Sequence, residues 1–322
     1  MINDSRLFNN RGYALVMDGR IEVARVELEA AVRRDQHNYV ALTNLGYVLS
    51  RQGKLDEAIL AYQKALGINP SYAVAHNNLG LAYGEKGFFD KARNAYEDAI
   101  QCDPAYAVAY LNLAQLLHMQ DALTEAEDCY RNYLKLRPND IRALYNLGVI
   151  ALQRGMLERA GAYFWQVRRR DQNHADAAVN LAAVLLRRQQ YDQATALLRE
   201  VVAADPDHLL ARYNLSQAHA AAGDLRAAAA QLESILQRDP AGSQAANNLA
   251  LIYRELGHPE KALELLTAQA ARCPQNATLQ YNLGILSTDL GQKADARRYF
   301  QRVVALEPAG SRRSAMAQQA ME

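Results

Sequence analysis

The sequence predicts an all-α array of nine helix-turn-helix repeats, and three observations predict it. An Asn-Leu-small triplet returns every 34 residues from Asn44-Leu45-Gly46 to Asn282-Leu283-Gly284, with Asn10-Arg11-Gly12 one period upstream. Each period holds two stretches of helical hydrophobic spacing. Between the stretches stands a turn residue such as Gly53, and dipeptides such as Asn69-Pro70, Asp103-Pro104, Asp205-Pro206 and Asp239-Pro240 close the unit.

Tyr39 to Tyr72 serves as the unit, with positions numbered 1 to 34. Leu42, Leu45, Gly46 and Leu49 at positions 4, 7, 8 and 11 share one face of a first helix. Ala58, Tyr62 and Ala65 at positions 20, 24 and 27 mark a second helix. Helices this short are marginal alone in water, so each pair needs a neighbour to cover its apolar face. Position 20 is alanine in every copy, position 8 is always Gly, Ala or Ser, and position 24 is bulky. The expectation is a close approach of the two helices at the small slots, so that a large residue at Ala160 would overpack the pair by roughly 1–3 kcal/mol.

The repeats start at residues 5, 39, 73, 107, 141, 175, 209, 243 and 277, and residues 1–322 read as one continuous domain. In the first copy Arg11 occupies the slot that is leucine in all the others, as suits an end with no preceding neighbour. Copies two and three hold the pattern most closely. The fourth replaces the loop glycine with Asp121 and has Tyr133 at position 27; the fifth has Gln172 in place of proline and the single tryptophan, Trp165, which reads as a packing residue. Arg212 and His219 in the seventh copy stand in slots that are mostly apolar, which predicts looser packing there, and Gln269 and Gln280 are further polar substitutions. The tail Ser311–Ala320 reads as an amphipathic capping helix within residues 311–322, in the register of a tenth first helix.

The recurring Leu45-Gly46, Gly53, Ala58, Tyr62, Ala65 and Pro70 resemble the signature of the tetratricopeptide repeat family, across about residues 5–310. The resemblance implies a right-handed superhelical solenoid whose first helices line a concave groove. It also implies a likeness to the repeat arm of O-linked N-acetylglucosamine transferase, where an asparagine ladder grips the backbone of bound chains. Position 6 here is asparagine in all nine copies: Asn10, Asn44, Asn78, Asn112, Asn146, Asn180, Asn214, Asn248 and Asn282. Asparagine is a mediocre helix former, and its amide offers both donor and acceptor to an extended main chain. The competing reading is that it bonds within the array. Beside it, position 5 supplies Asn77, Leu111, Tyr145, Val179, Tyr213 and Tyr281, and position 9 supplies Tyr13, Tyr47, Leu81, Val149 and Ile285. Candidate peptide-binding residues are therefore Asn44, Asn78, Asn112, Asn146, Asn180, Asn214 and Asn248 with Tyr47, Asn77, Tyr145 and Tyr213. Chaperone-docking members of the family hold a terminal carboxylate with basic residues; positions 5 and 9 contain no Lys or Arg, so a neutral, partly apolar segment is the expected ligand.

Thirty-six Lys plus Arg against 35 Asp plus Glu leave a formal charge of +1, a poor footprint for nucleic acid or an anionic membrane. Arg168-Arg169-Arg170 falls at the end of a second helix, where cations suit the carbonyl terminus. Cys102, Cys129 and Cys273 are too few and too scattered for a disulfide framework or metal ligands. No apolar run is long enough to span a membrane, and the first residues contain no signal-peptide pattern, so a cytoplasmic location is expected. No phosphate loop, nucleophile elbow or paired metal-binding histidines occur. The expectation is a non-enzymatic interaction scaffold with no cofactor, no nucleic acid and no membrane insertion. Its expected partner is an extended segment of another protein; self-association into a scaffold, or service as the recognition arm of a separate enzyme, are the alternatives.

Overall fold

The computed structural model describes residues 2–308 and 310–321, and all regular structure among them is helical. The chain forms two compact units, Met1–Arg154 and Gly155–Glu322. In the first unit the first helices are α1 (Ile2–Met17), α3 (Tyr39–Arg51), α5 (Ala73–Glu85), α7 (Ala107–Met119) and α9 (Ile141–Gln153), interleaved with second helices α2 (Ile21–Arg34), α4 (Leu55–Ile68), α6 (Phe89–Cys102) and α8 (Leu123–Leu136). The second unit opens on the second helix α10 (Leu157–Arg170). Its first helices are α11 (Ala175–Arg187), α13 (Leu209–Ala221), α15 (Ser243–Glu255) and α17 (Ala277–Asp289), interleaved with second helices α12 (Tyr191–Ala204), α14 (Leu225–Arg238), α16 (Pro259–Arg272) and α18 (Lys293–Leu306). The closing helix α19 (Arg312–Gln319) is shorter than its expected span, and Ser311 caps it by accepting from the Ser314 N–H at 3.1 Å.

Local chemistry sets the turns. Position 15 is left-handed in every copy: seven glycines, from Gly19 to Gly291, and the non-glycines Asp121 (φ 61°) and Gln189 (φ 60°) adopt it alike. At the other end of the unit the carboxylate or amide at position 31 accepts from the N–H two residues on, as Asp103 does from Ala105 at 2.9 Å and Asp171 from Asn173 at 3.0 Å. The turn at Asp171 forms with Gln172 in the proline slot, so the Asx residue rather than the proline makes it.

The small slots work as their sequence pattern requires. The position-20 alanines from Ala24 to Ala296 are all buried. A Cβ placed on Gly46, Gly80 or Gly284 would stand 2.6, 2.6 or 2.5 Å from the ring of Tyr62, Tyr96 or Phe300, so bare backbone is what admits the ring. Burial is wider than positions 4, 7, 8 and 11. Position 3 (Ala41, Ala75, Ala109) and position 10 (Val48, Ala82, Leu116) are buried too. Ala75 packs with Leu42 and Ala65, and Val48 with Ala24 and Leu28, so a first helix is gripped by its own partner and by the preceding repeat.

Two expectations are corrected. Trp165 does not pack into the core: it is 55% exposed on α10, with the Arg169 guanidinium 5.6 Å from its ring centroid. Trp165 stands at position 25, one residue beyond the fully buried Phe164 of position 24, and so faces away from the core. Nor are the polar substitutions in the seventh copy loose. Arg212 Nε donates to the Pro206 carbonyl at 2.7 Å and its Nη1 to Gln231 at 3.1 Å, while His76 in the same slot bonds the Pro70 carbonyl at 2.8 Å. Long polar chains at position 4 reach back to the carbonyl at position 32 and tie the junction. No helix among the described residues is long and apolar enough to cross a membrane.

Candidate functional site

With positions 3, 7 and 10 turned to the preceding repeat and position 8 to the partner helix, one arc of each first helix is left over. Helical geometry assigns it positions 2, 6, 9, 12 and 13, with position 5 at its floor, buried at Asn9, Thr43, Asn77, Leu111 and Val179. Within each unit those arcs align, and the position-6 asparagines lie along them. Asn44, Asn78, Asn112, Asn146, Asn180, Asn214, Asn248 and Asn282 are all half-buried, and Asn10 is exposed.

Their amides are engaged in a regular way. Asn44 Nδ2 donates to Asn9 Oδ1 at 2.9 Å, Asn112 Nδ2 to Asn77 Oδ1 at 2.8 Å, Asn248 Nδ2 to the Tyr213 hydroxyl at 2.8 Å, and Asn282 Nδ2 to Asn247 Oδ1 at 2.7 Å. In all four the partner is position 5 of the preceding repeat. Where position 5 is Leu111, Asn146 Nδ2 turns to the Arg142 carbonyl of its own helix at 3.0 Å. Asn77 also donates to Asn78 Oδ1 at 3.3 Å, and Asn9 to Asn10 Oδ1 at 3.4 Å. The internal-bonding reading of position 6 therefore holds for the N–H side of these amides. The oxygens of Asn78 and Asn10 are engaged as acceptors, whereas those of Asn44, Asn112, Asn146, Asn248 and Asn282 meet no protein donor among the described residues.

The other candidates divide. Tyr47 is exposed, and Arg51 Nη1 donates to its hydroxyl at 3.2 Å. Tyr145 and Tyr213 are half-buried, and the Tyr213 hydroxyl accepts from both Gln244 and Asn248 at 2.8 Å. Asn77, at 2% exposure, lies beneath the surface with its amide committed to Asn78 and Asn112. Leu81 and Leu251 at position 9 are exposed, and Asn247, Leu251, Arg254, Asn282 and Ile285 line a niche between α15 and α17.

Charge on this arc is sparse and of both signs. Arg254 meets Asp289 at 2.6 Å. At the start of α9 the Arg142 guanidinium, then the Tyr133 hydroxyl, hold the Asp140 carboxyl down to about 2, against the opposing effect of burial. Tyr133 fills position 27 from the second-helix side, so a core residue and a surface ion pair are joined in one network. The arc offers donors, acceptors and apolar area. No cluster of His, Cys, Asp or Glu among the described residues is arranged to hold a metal. Burial pushes the Cys129 thiol up to about 11, away from a nucleophilic thiolate.

Position 5 is the residue set that periodicity undervalues. Its signal is present as the Asn-Asn dipeptides at 9–10, 77–78 and 247–248, each placing an asparagine 35 residues before the next repeat's rung.

Family models match along most of the chain. One described as TPR repeat matches residues 46–87; one described as tetratricopeptide repeat matches 151–218 and 185–252, and another of that description 77–141, 124–175 and 247–311. Comparison with curated proteins returns no match. Among solved structures the chain is similar to YrrB, described as a TPR protein with an unusual peptide-binding site, at 25% identity over 57% of this chain and 95% of that one, with a TM-score of 0.52. It is similar in fold to PilW, a type IV pilus biogenesis factor (22% identity, 65% and 96% covered, TM-score 0.55). It is likewise similar in fold to a tetratricopeptide repeat protein of Parabacteroides merdae (21% identity, 78% and 99% covered, TM-score 0.52).

Proposed function

This chain belongs to the tetratricopeptide repeat family, a family of protein-interaction scaffolds, and we propose that it is a non-enzymatic member that holds an extended segment of a partner polypeptide along its first-helix arcs. The observation that supports this most is the asparagine at position 6 in all nine copies, half-buried in eight of them. The rungs are flanked by tyrosines and aliphatic residues, which supply contact area at low entropic cost. A peptide-binding site is named for YrrB, and the reading extends that kind of use to this chain. The likeness to the transferase arm enters here in the same sense: an asparagine row meets a main chain and is indifferent to its side chains. The unbroken 34-residue register through Arg154 and Gly155 supports one continuous array as the frame.

The test replaces Asn78, Asn112 and Asn146 together by alanine and crosslinks the tagged protein in its native host. Loss of the crosslinked partners with an unchanged circular dichroism spectrum is expected. Retention of the same partners counts against the reading.

Self-association is the second reading, favoured by one observation. Leu7, at position 3 of α1, is 55% exposed, whereas position 3 is buried in the later first helices. Light scattering of the protein with Leu7→Glu, and without residues 311–322, distinguishes the two: a monomer throughout removes the second reading.

A further inference from the structure

The ladder has a direction, and it is set from beneath. An asparagine amide can present either its oxygen or its nitrogen to a ligand, and an unrestrained one samples both. In Asn44, Asn112, Asn248 and Asn282 the nitrogen is tied to position 5 of the preceding repeat at 2.7–2.9 Å. All four side chains are half-buried, so each asparagine keeps part of its surface open to solvent. Fixing the nitrogen thus fixes an acceptor on the surface. Asn77 does this twice over: its oxygen holds the nitrogen of Asn112, while its own nitrogen holds the oxygen of Asn78. Asn78 is left presenting N–H where Asn112 presents C=O. Val179 at position 5 can accept nothing, and Asn214 one repeat on has no such tie.

We infer that Asn9, Asn77, Tyr213 and Asn247 are positioning residues that set the polarity of the ladder, so that it selects extended polypeptide with free main-chain N–H groups and rejects proline or N-methylated residues opposite the locked rungs. The inference rests on the peptide-binding reading above and specifies its ligand class. The physical reason is preorganisation: a side chain already held in its bound orientation loses less freedom when the ligand arrives. Asn77 is buried and cannot contact the ligand, so any effect of its loss on binding passes through Asn78 and Asn112.

The probe is a phage-displayed library of random peptides, each roughly 16 residues long and able at about 3.3 Å per residue to run past several first helices. Peptides are selected on the full chain, counter-selected in separate arms on the Asn78/Asn112/Asn146 and the Asn214/Asn248/Asn282 triple alanine variants, and measured by fluorescence anisotropy. Asn77→Leu is expected to weaken the selected peptides about three- to tenfold with the fold unchanged. Tyr213→Phe, which removes only a hydroxyl, is expected to do the same for peptides that map to the second unit. Single N-methylation of each peptide is expected to abolish binding at the residues opposite Asn112 or Asn248. If no peptide prefers the full chain to either triple variant, the peptide-binding reading fails and this inference with it. If peptides bind and depend on the asparagines, yet neither Asn77→Leu nor Tyr213→Phe changes their affinity, the inference alone is overturned.

Discussion

Gln280 shows what a single side chain in this array can cost. It is buried in the slot that Leu42 and Leu144 fill elsewhere, and its Oε1 finds no partner. A buried acceptor without a donor costs about 1–3 kcal/mol, so Gln280→Leu should stabilise the protein by roughly that amount, as read by urea unfolding. Gln189 gives a second case. It holds φ at 60° in a turn where seven other copies use glycine. Gln189→Gly should therefore raise stability by about 1 kcal/mol, and Asp121→Gly by a similar step, both visible as a higher melting temperature. The sequence made the asparagine rungs legible at this scale because periodicity isolates a residue type that packing does not demand. It hid their partners, because hydrogen-bond geometry across a repeat junction is a property of two helices that the pattern of one cannot display.

At the scale of the element, the pairing of position 8 with position 24 decides how closely the two helices of a repeat approach. Gly80→Ala would press a Cβ to within 2.6 Å of the Tyr96 ring, and should cost about 1–3 kcal/mol because a ring held between two helices cannot swing clear. Alanine at Gly84, where a Cβ would meet the Ala92 Cβ at 3.9 Å, should cost nothing comparable and serves as the control for helix propensity. The junction around His219 should respond to acid. Burial first, then the Arg199 charge, push this imidazole below its ordinary 6.5, with Asp224 opposing them. Folding therefore favours the neutral ring: its contribution is complete above 6.5 and is lost as pH falls below that value. The melting temperature should drop more in wild type than in His219→Leu between roughly pH 7.5 and roughly pH 5.5. Element boundaries were legible because glycine and Asx residues mark them chemically. The second buried stripe, at positions 3 and 10, was not, since small alanines there carry little hydrophobic signal and reveal their role only when a neighbouring repeat lies on them.

Within each of the two units, contacts run between helices adjacent in the chain and between first helices one repeat apart, as in α1–α3 and α3–α5 of the first unit and α11–α13 and α15–α17 of the second. Stability in such an array is close to a sum of repeats and their junctions. Trp165 shows the limit of reading roles from residue type: a single tryptophan in an array of small residues suggests a core, and only the placement of α10 turns it outward. A partner held along the first-helix arcs is within crosslinking reach of the side chains that flank the rungs. Photo-crosslinking residues placed singly at Leu81 and Leu251 on those arcs, and at Leu60 and Trp165 on the second helices, test that placement most directly in the native host, with adducts mapped by mass spectrometry. The prediction is partner adducts from positions 81 and 251 and none from 60 and 165. Adducts confined to positions 60 and 165 would contradict it.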